Sequence, residues 1–300
     1  MKKIITLTAA FFAMLFTVNA VEWPVEDKAP DAIISYFGQN VGGNISKSII
    51  FAKPKPTQDK EGNIISVEHE VKAVKEGKIL IVMTELDDDS ELFPSALGTS
   101  VILAHDDDLI SVYSNLESQS VNLNTQNKTT LAEGEVIGNT GWQAVPSSLE
   151  FQIIDNQNSA AINPKILLPR TEKETDYSLS GIMLQNKSGT FYDLRESKIF
   201  PAGTYKVYHT RNKTAMPYKL TCSINGVIED EIFFDTITYQ NGKLYLSGKE
   251  KRYNSEVLYA DENLLLTGEL TLTPGKSTLG ITAETFLGKQ KQLNYILSIY

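Results

Sequence analysis

Apolar positions along most of this chain recur at a spacing of two, the period of a strand with one face buried. Residues 67–74, 78–84, 100–105, 109–116 and 148–154 are rich in β-branched side chains, and several of them alternate apolar with polar. Between them stand Glu76-Gly77, the acidic cluster 87–90, Asp106 to Asp108 and Gly138-Asn-Thr-Gly141, all turn formers. Beyond residue 20 no window of a dozen residues has a helical period. Asn163-Pro164 followed by Pro169 leaves room for one helical turn, because proline suits a first helical position and then stops the chain.

Residues 171–177 are polar and charged, the composition of a linker. The strand pattern then resumes at 178–185, 203–209, 218–224, 228–238, 243–246, 264–272, 279–283 and 292–300. Asn225-Gly226 and Asn241-Gly242 are dipeptides of tight hairpins, since both residues tolerate positive φ. Short strands at this spacing predict a β-sandwich of immunoglobulin-like (Ig-like) size, here without paired cysteines or a core tryptophan. The fold class expected is therefore all-β, with an antiparallel β domain over 21–170, the linker 171–177, and the sandwich over 178–300.

The first twenty residues break the pattern. Met1-Lys2-Lys3 is a short basic start, followed by an apolar run over 4–18 and the small-residue exit Val18-Asn19-Ala20. This is the layout of a secretory signal peptide over 1–20, and the run is short for a span of ~20 apolar residues. The protein is expected to be exported, periplasmic or envelope-associated, with no transmembrane segment after cleavage. Removing Lys2 and Lys3 takes the formal charge from -9 to -11. An acidic balance lacks the clustered cations that neutralise phosphates, so nucleic acid is not an expected partner. Cys222 is the single cysteine, which excludes an intrachain disulfide, and its place among Leu220 and Ile224 makes it a core thiol.

Four landmarks, in order, carry a family resemblance. Phe37-Gly38 through Ser46 and Ile50 is similar to an entry segment of the form Phe-His-x-Gly-x-Asp. Val71-Lys-Ala73 through Gly77 resembles an Ala…Gly-x-Val turn. Residues 100–105 with Ser111-Val-Tyr113-Ser-Asn115-Leu116 resemble paired strands ending in Tyr-Ala-His-Leu. Gly134-Glu-Val-Ile137-Gly138-Asn-Thr-Gly141, then Ser148-Leu149-Glu150-Phe151, resembles Gly-x-x-Ile-Gly-x-x-Gly…His-Leu-His-Phe. Together they resemble the M23 (LytM or lysostaphin-type) zinc peptidases, which cut peptide cross-links in bacterial cell walls.

The resemblance also locates departures. The family's zinc-binding positions fall on Ser46, Ile50 and Glu150, and its catalytic histidine positions on Asn115 and Ser148. Catalytic zinc takes three protein ligands and an open position for water. Isoleucine has no donor atom and a serine hydroxyl is a poor ligand, so no zinc is expected. Losing both proton-handling histidines removes help of roughly 10²–10⁴-fold each. The expectation is a pseudoenzyme whose groove floor consists of Ser46, Tyr113, Asn115, Ser148 and Glu150. As the resemblance implies for ligand-free relatives, it acts by binding peptidoglycan or by regulating an envelope protein such as a wall hydrolase. The alternatives are a structural or surface-exposed β-protein with no wall role, and a residual metallopeptidase with an atypical metal site.

The three histidines give no other centre. His69 lies between Glu68 and Glu70 on a strand, which sends imidazole and carboxylates to opposite faces. His105 heads Asp106-Asp107-Asp108 and could join carboxylates around a cation, although an exposed turn accounts for the same residues; neither acidic turn has calcium-loop spacing. His209 reads as one strand side chain among many. The polar segment 53–66, which contains proline and glycine, is expected to be an inserted loop near the groove.

Overall fold

The alternating runs become strands because their β-branched side chains pack well on a pleated surface and leave polar partners on the other face. The structure, a computed structural model, describes residues 22–26, 32–52, 57–58, 61–62, 64–65, 69–84, 97–141, 148–171 and 173–300. The expected signal peptide and the acidic turn at 87–90 lie outside these residues. Within the expected loop 53–66, Thr57–Gln58 pairs antiparallel with Ile64–Ile65.

One large sheet runs through the molecule. Its order is Thr130–Leu131, Gly77–Met83, Ser100–Ala104, Leu109–Ser114, Glu150–Asp155, Ala160–Ile162, Val227–Gln240, Lys219–Ile224, Gly275–Glu284, Gln290–Ile299 and Ile199–Phe200. Every pair is antiparallel except the last, in which Ile199–Phe200 runs parallel to Gln290–Ile299. Ile49–Phe51 adds to Glu150–Asp155 ahead of Ala160–Ile162, so that strand has neighbours on both edges.

The inner face of the N-terminal half carries Ile49, Val101, Leu103, Tyr113, Phe151 and Ile153, all buried. They pack on Val71, Val74, Leu116, Val121 and Ile137, contributed by the hairpin-like pair Glu70–Lys72 and Val136–Asn139 and by the helix Ser118–Thr125. That helix departs from the sequence-based expectation. It buries only Val121 and Thr125, with Leu123 exposed, so it has no apolar stripe for a period to reveal. Glu117 caps it, its carboxylate accepting from the Gln119 and Ser120 amides at 2.8 and 2.5 Å. The expected single turn forms as Pro164–Leu167, capped by Asn163, and a further turn, Ser255–Leu258, was not signalled.

In the C-terminal half a four-stranded sheet, in the order Phe191–Asp193, Met183–Asn186, Gly203–Thr210 and Leu264–Leu272, packs over the large sheet. Leu184, Val207 and Leu270 from one layer meet Cys222, Leu279, Ile281 and Leu297 from the other in a common core. The thiol of Cys222 is fully buried, and burial pushes its pKa up. Both expected hairpin turns form: Asn225-Gly226 and Asn241-Gly242 have positive φ and join directly paired strands.

The two halves share a sheet and a core. Ala160–Ile162 pairs with Thr236, Ile237 and Thr238 of the long strand Val227–Gln240. Phe37 and Ala161 sit in one apolar cluster with Leu220, Phe234 and Ile237. Within 171–177, Glu174 and Tyr177 are anchored. Glu174 pairs with Lys165 at 2.8 Å and accepts from the Leu287 amide at 3.0 Å, and Tyr177 is buried with its hydroxyl 2.6 Å from His209 Nε2. The segment is a strap, not a free spacer. Among the described residues no helix is long and apolar enough to cross a membrane.

Candidate functional site

Strand register assembles a row of side chains that the sequence spacing alone does not reveal. Ile50 lies opposite Glu150, Glu150 opposite Ser114, and Ser114 opposite Ser100; Ser35 and Met83 extend the row at its two ends. Residues in register point to the same face, so this row lies on one surface of the sheet. Gln152 follows Glu150 by two positions and its Nε2 donates to Glu150 Oε1 at 3.3 Å. Ser148, two positions before, is 8 % exposed. The result is a polar strip with one carboxylate, half-buried at Glu150 and buried at Ser100, Ser114, Ser148 and Gln152, flanked on one side by Ile50.

Among the described residues the buried hydroxyl oxygens of Ser100 and Ser114 have no hydrogen-bond partner. Among the described residues no ion pair engages Glu150, and Gln152 is its one hydrogen-bond partner.

Of the sequence-predicted groove residues, Glu150 and Ser148 belong to this strip, whereas Tyr113 does not. Tyr113 pairs with Phe151, one position out of phase with Glu150, and strand alternation turns it to the opposite face. There it is fully buried, its ring 5.2 Å from that of Phe151, its hydroxyl accepting from the Val74 amide at 2.9 Å. Desolvation pushes its pKa up. It is a core residue. Ser46 occupies the loop before Ile49–Phe51, and its hydroxyl bonds the Ser48 carbonyl at 3.2 Å instead of a group in the row. Asn115 ends its strand in the left-handed region at φ 64°, and its carbonyl accepts from the Gly141 amide at 2.7 Å. Asparagine tolerates that conformation better than most residues, so Asn115 has a backbone task at the corner.

The glycines of the motif are explained by close approach. A Cβ on Gly141 would lie 2.3 Å from the Leu116 carbonyl oxygen, and one on Gly138 would lie 2.8 Å from Val121 Cγ2. They let the corner after Asn115 and the helix Ser118–Thr125 press against the backbone beside the strip.

His105 and His209 are structural. His105 is buried at the head of the exposed Asp106–Asp108 turn and does not face a cation there. Its Nδ1 lies 2.7 Å from the Glu76 carbonyl oxygen and its Nε2 2.9 Å from Ser111 Oγ. A carbonyl only accepts, so Nδ1 donates to it. The Asp107 carboxylate is engaged elsewhere: burial opposes its ionisation, but Lys75 at 2.5 Å holds its pKa below the usual range. His209 is fully buried between Tyr177 and Thr267, and burial pushes its pKa down to about 4.

Zinc is the metal that the resemblance implies, and the strip does not fit it. Ile50 offers no donor, Ser46 is bonded locally, and Glu150 is left as one carboxylate where three ligands are needed. Among the described residues no three His, Cys, Asp or Glu side chains come together as a metal-holding group. Ser100, Ser114 and Gln152 were missed from the sequence. For Gln152 a signal existed: Ser148, Glu150 and Gln152 alternate with Leu149, Phe151 and Ile153. For the two serines the register is required.

Comparison with known proteins places this region. Residues 59–164 match the model of peptidase family M23, and residues 176–300 match a second family model that carries no functional description. An uncharacterized protein of Treponema pallidum (strain Nichols) is 29% identical over 138 residues, 44% of this chain and 84% of that protein. A mutant catalytic domain of the prophage-encoded M23 protein EnpA from Enterococcus faecalis is 17% identical, with a TM-score of 0.31, covering 45% of this chain and 90% of that one. The solution structure of lysostaphin is also 17% identical, with a TM-score of 0.33, covering 80% of this chain and 94% of that one. The all-β chain carries an M23 peptidase-like region; Met83, Ser100, Ser114, Glu150 and Gln152 of the strip lie within the matched residues, whereas Ser35 and Ile50 precede them.

Proposed function

We propose that this protein is an exported, non-catalytic M23-like component of the bacterial envelope, and that it binds wall peptide through the strip around Glu150. The observation that carries the proposal is the register of Ile50 directly opposite Glu150, with Ser114 on the other side. Two positions that resemble the family's metal ligands are thus neighbours in space, yet one of them is an alkyl side chain. Such a site retains a peptide-sized polar strip on a rigid sheet but lacks the donors that activate water. The signal-like amino-terminal segment supports the exported reading.

Two measurements test the proposal. The chain from residue 21 onward, purified near pH 7, is expected to contain well under one equivalent of zinc and to be retained on isolated wall sacculi without releasing fragments. A full equivalent of zinc, together with wall-peptide cleavage that Glu150→Gln abolishes, overturns the non-catalytic assignment. Absence from sacculi, with a wall hydrolase recovered by cross-linking in the envelope, replaces wall binding by regulation of that enzyme.

A further inference from the structure

The large sheet ends in the C-terminal half on a strand with an open edge. The Lys289 carbonyl accepts from the Thr285 amide at 2.9 Å, which sets the phase of Gln290–Ile299: its odd-numbered residues exchange backbone bonds with Gly275–Glu284. The even-numbered residues face the other way, as Ser298 and Tyr300 show by donating to the carbonyls of Lys198 and Phe200 at 2.8 and 3.0 Å. Gln290, Gln292, Asn294 and Ile296 present their amides and carbonyls along that same edge. Among the described residues no backbone pairs with them there. The usual protections of an edge are thin: the strand pairs with Gly275–Glu284 without a bulge, has no proline, and carries one charged residue, Lys291. Apolar surface adjoins it. Ile199 lies opposite Ser298 and so shares a face with Ile296 and Tyr300, and the three are 64, 70 and 72 % exposed. Exposed apolar side chains gathered in one place mark an interaction site, whereas scattered ones do not.

We propose that this edge pairs antiparallel with the same strand of a second copy, giving a two-fold dimer in which the two large sheets are continuous. An antiparallel edge complements itself, because a two-fold axis sets each outward amide against an outward carbonyl of the other copy. The longest register within the strand that stops short of Ile199 is centred on Leu293. It sets Gln290 opposite Ile296 of the second copy and Gln292 opposite Asn294 of the second copy, with no two charged residues face to face. Ile296 is then covered by the glutamine stem. Seven residues at ~3.4 Å make an edge ~24 Å long, and two sheet layers ~10 Å apart with their outer side chains make it ~20 Å deep. Each copy therefore covers about 500 Å², or about 1,000 Å² in all, the lower end for a specific interface, and the dimer is a weak one. This surface shares no residue with the strip around Glu150.

Sedimentation of the chain from residue 21 onward should pass from monomer at about 1 μM to dimer at about 100 μM, and stop there. Hydrogen exchange followed by NMR adds a signature specific to this edge. Between the two concentrations the amides of Gln292, Asn294 and Ile296 should slow by about tenfold or more, while those of Leu293 and Tyr295, bonded to Gly275–Glu284, stay equally protected. Two substitutions act on the edge in different ways. Asn294→Pro removes one outward N–H where edge strands accept proline, and Ile296→Lys places a charge where native edges carry one. Each should hold the protein monomeric at 100 μM, whereas Tyr239→Ser, at a side chain 68 % exposed in another strand, should leave the dimer intact. A dimer that survives both edge substitutions overturns the inference, as does one whose new protection falls on other amides. So does a chain still monomeric at 100 μM, whether the edge then takes a strand of another protein or stays bare.

Discussion

At the residue scale, a buried histidine inside the C-terminal half makes the molecule sensitive to acid. His209 has both ring nitrogens engaged, at 2.6 Å by Tyr177 and 2.9 Å by Thr267, and burial pushes its pKa down to about 4 from 6.5. A depressed histidine pKa means that the unfolded chain binds the proton more readily. His209 therefore costs no stability above about pH 6.5, and stability is lost as the pH falls from there toward 4, by up to roughly 3 kcal/mol. Urea midpoints at pH 7 and 4.5 should show that loss, and His209→Gln should flatten it. Gly141 is a second sensitive position. A methyl group there meets the Leu116 carbonyl at 2.3 Å, so Gly141→Ala should lower stability by about 1–3 kcal/mol in thermal unfolding, the usual cost of overpacking. Neither effect was readable from spacing. The strand holding His209 was legible, but what lies opposite a strand residue depends on layers the sequence does not order.

At the scale of elements, alternation carried most of the fold and its silence hid the rest. Leu264–Leu272 matches its sequence-predicted span, and Lys219–Ile224 and Val227–Gln240 differ from theirs only at the ends. The helix Ser118–Thr125 stayed hidden because one buried valine and one buried threonine do not make a stripe. Its stability rests instead on Glu117. Burial opposes ionisation of that carboxylate, but the Ser120 and Gln119 amides outweigh it and hold its pKa below the usual range. Glu117→Ala should cost about 0.5–2 kcal/mol, the range for a lost cap. Hydrogen exchange should then speed up first at the amides of 119–125. Tyr113 shows the complementary limit of sequence reading. Alternation separates the two faces of its strand but does not say which face is the groove, and that is why a core tyrosine was placed beside Glu150.

At the scale of the whole molecule, the shared sheet makes unfolding a common event. Ala160–Ile162 is bonded on one edge to Glu150–Asp155 and on the other to Val227–Gln240, and the Lys165–Glu174 pair and Tyr177 hold the strap to both sides. A single calorimetric transition is expected, with calorimetric and van't Hoff enthalpies in agreement. Two resolved transitions would show that the halves melt separately. The sequence divided the chain by composition at 171–177, and the polar residues are indeed there. Composition could not show that Glu174 faces a lysine or that Tyr177 reaches a histidine.

The seam at Ala160–Ile162 also decides what happens when the chain is cut. A fragment ending near residue 170 would leave one edge of Ala160–Ile162 bare, with its amides and carbonyls open to solvent. It would also uncover the side of Gly38 that now faces the Phe234 ring. An unprotected strand edge beside apolar surface is a template for self-association. Proteolytic nicking of the strap should therefore leave the two pieces clasped in a native-like complex, and separate expression of the N-terminal piece should yield oligomers.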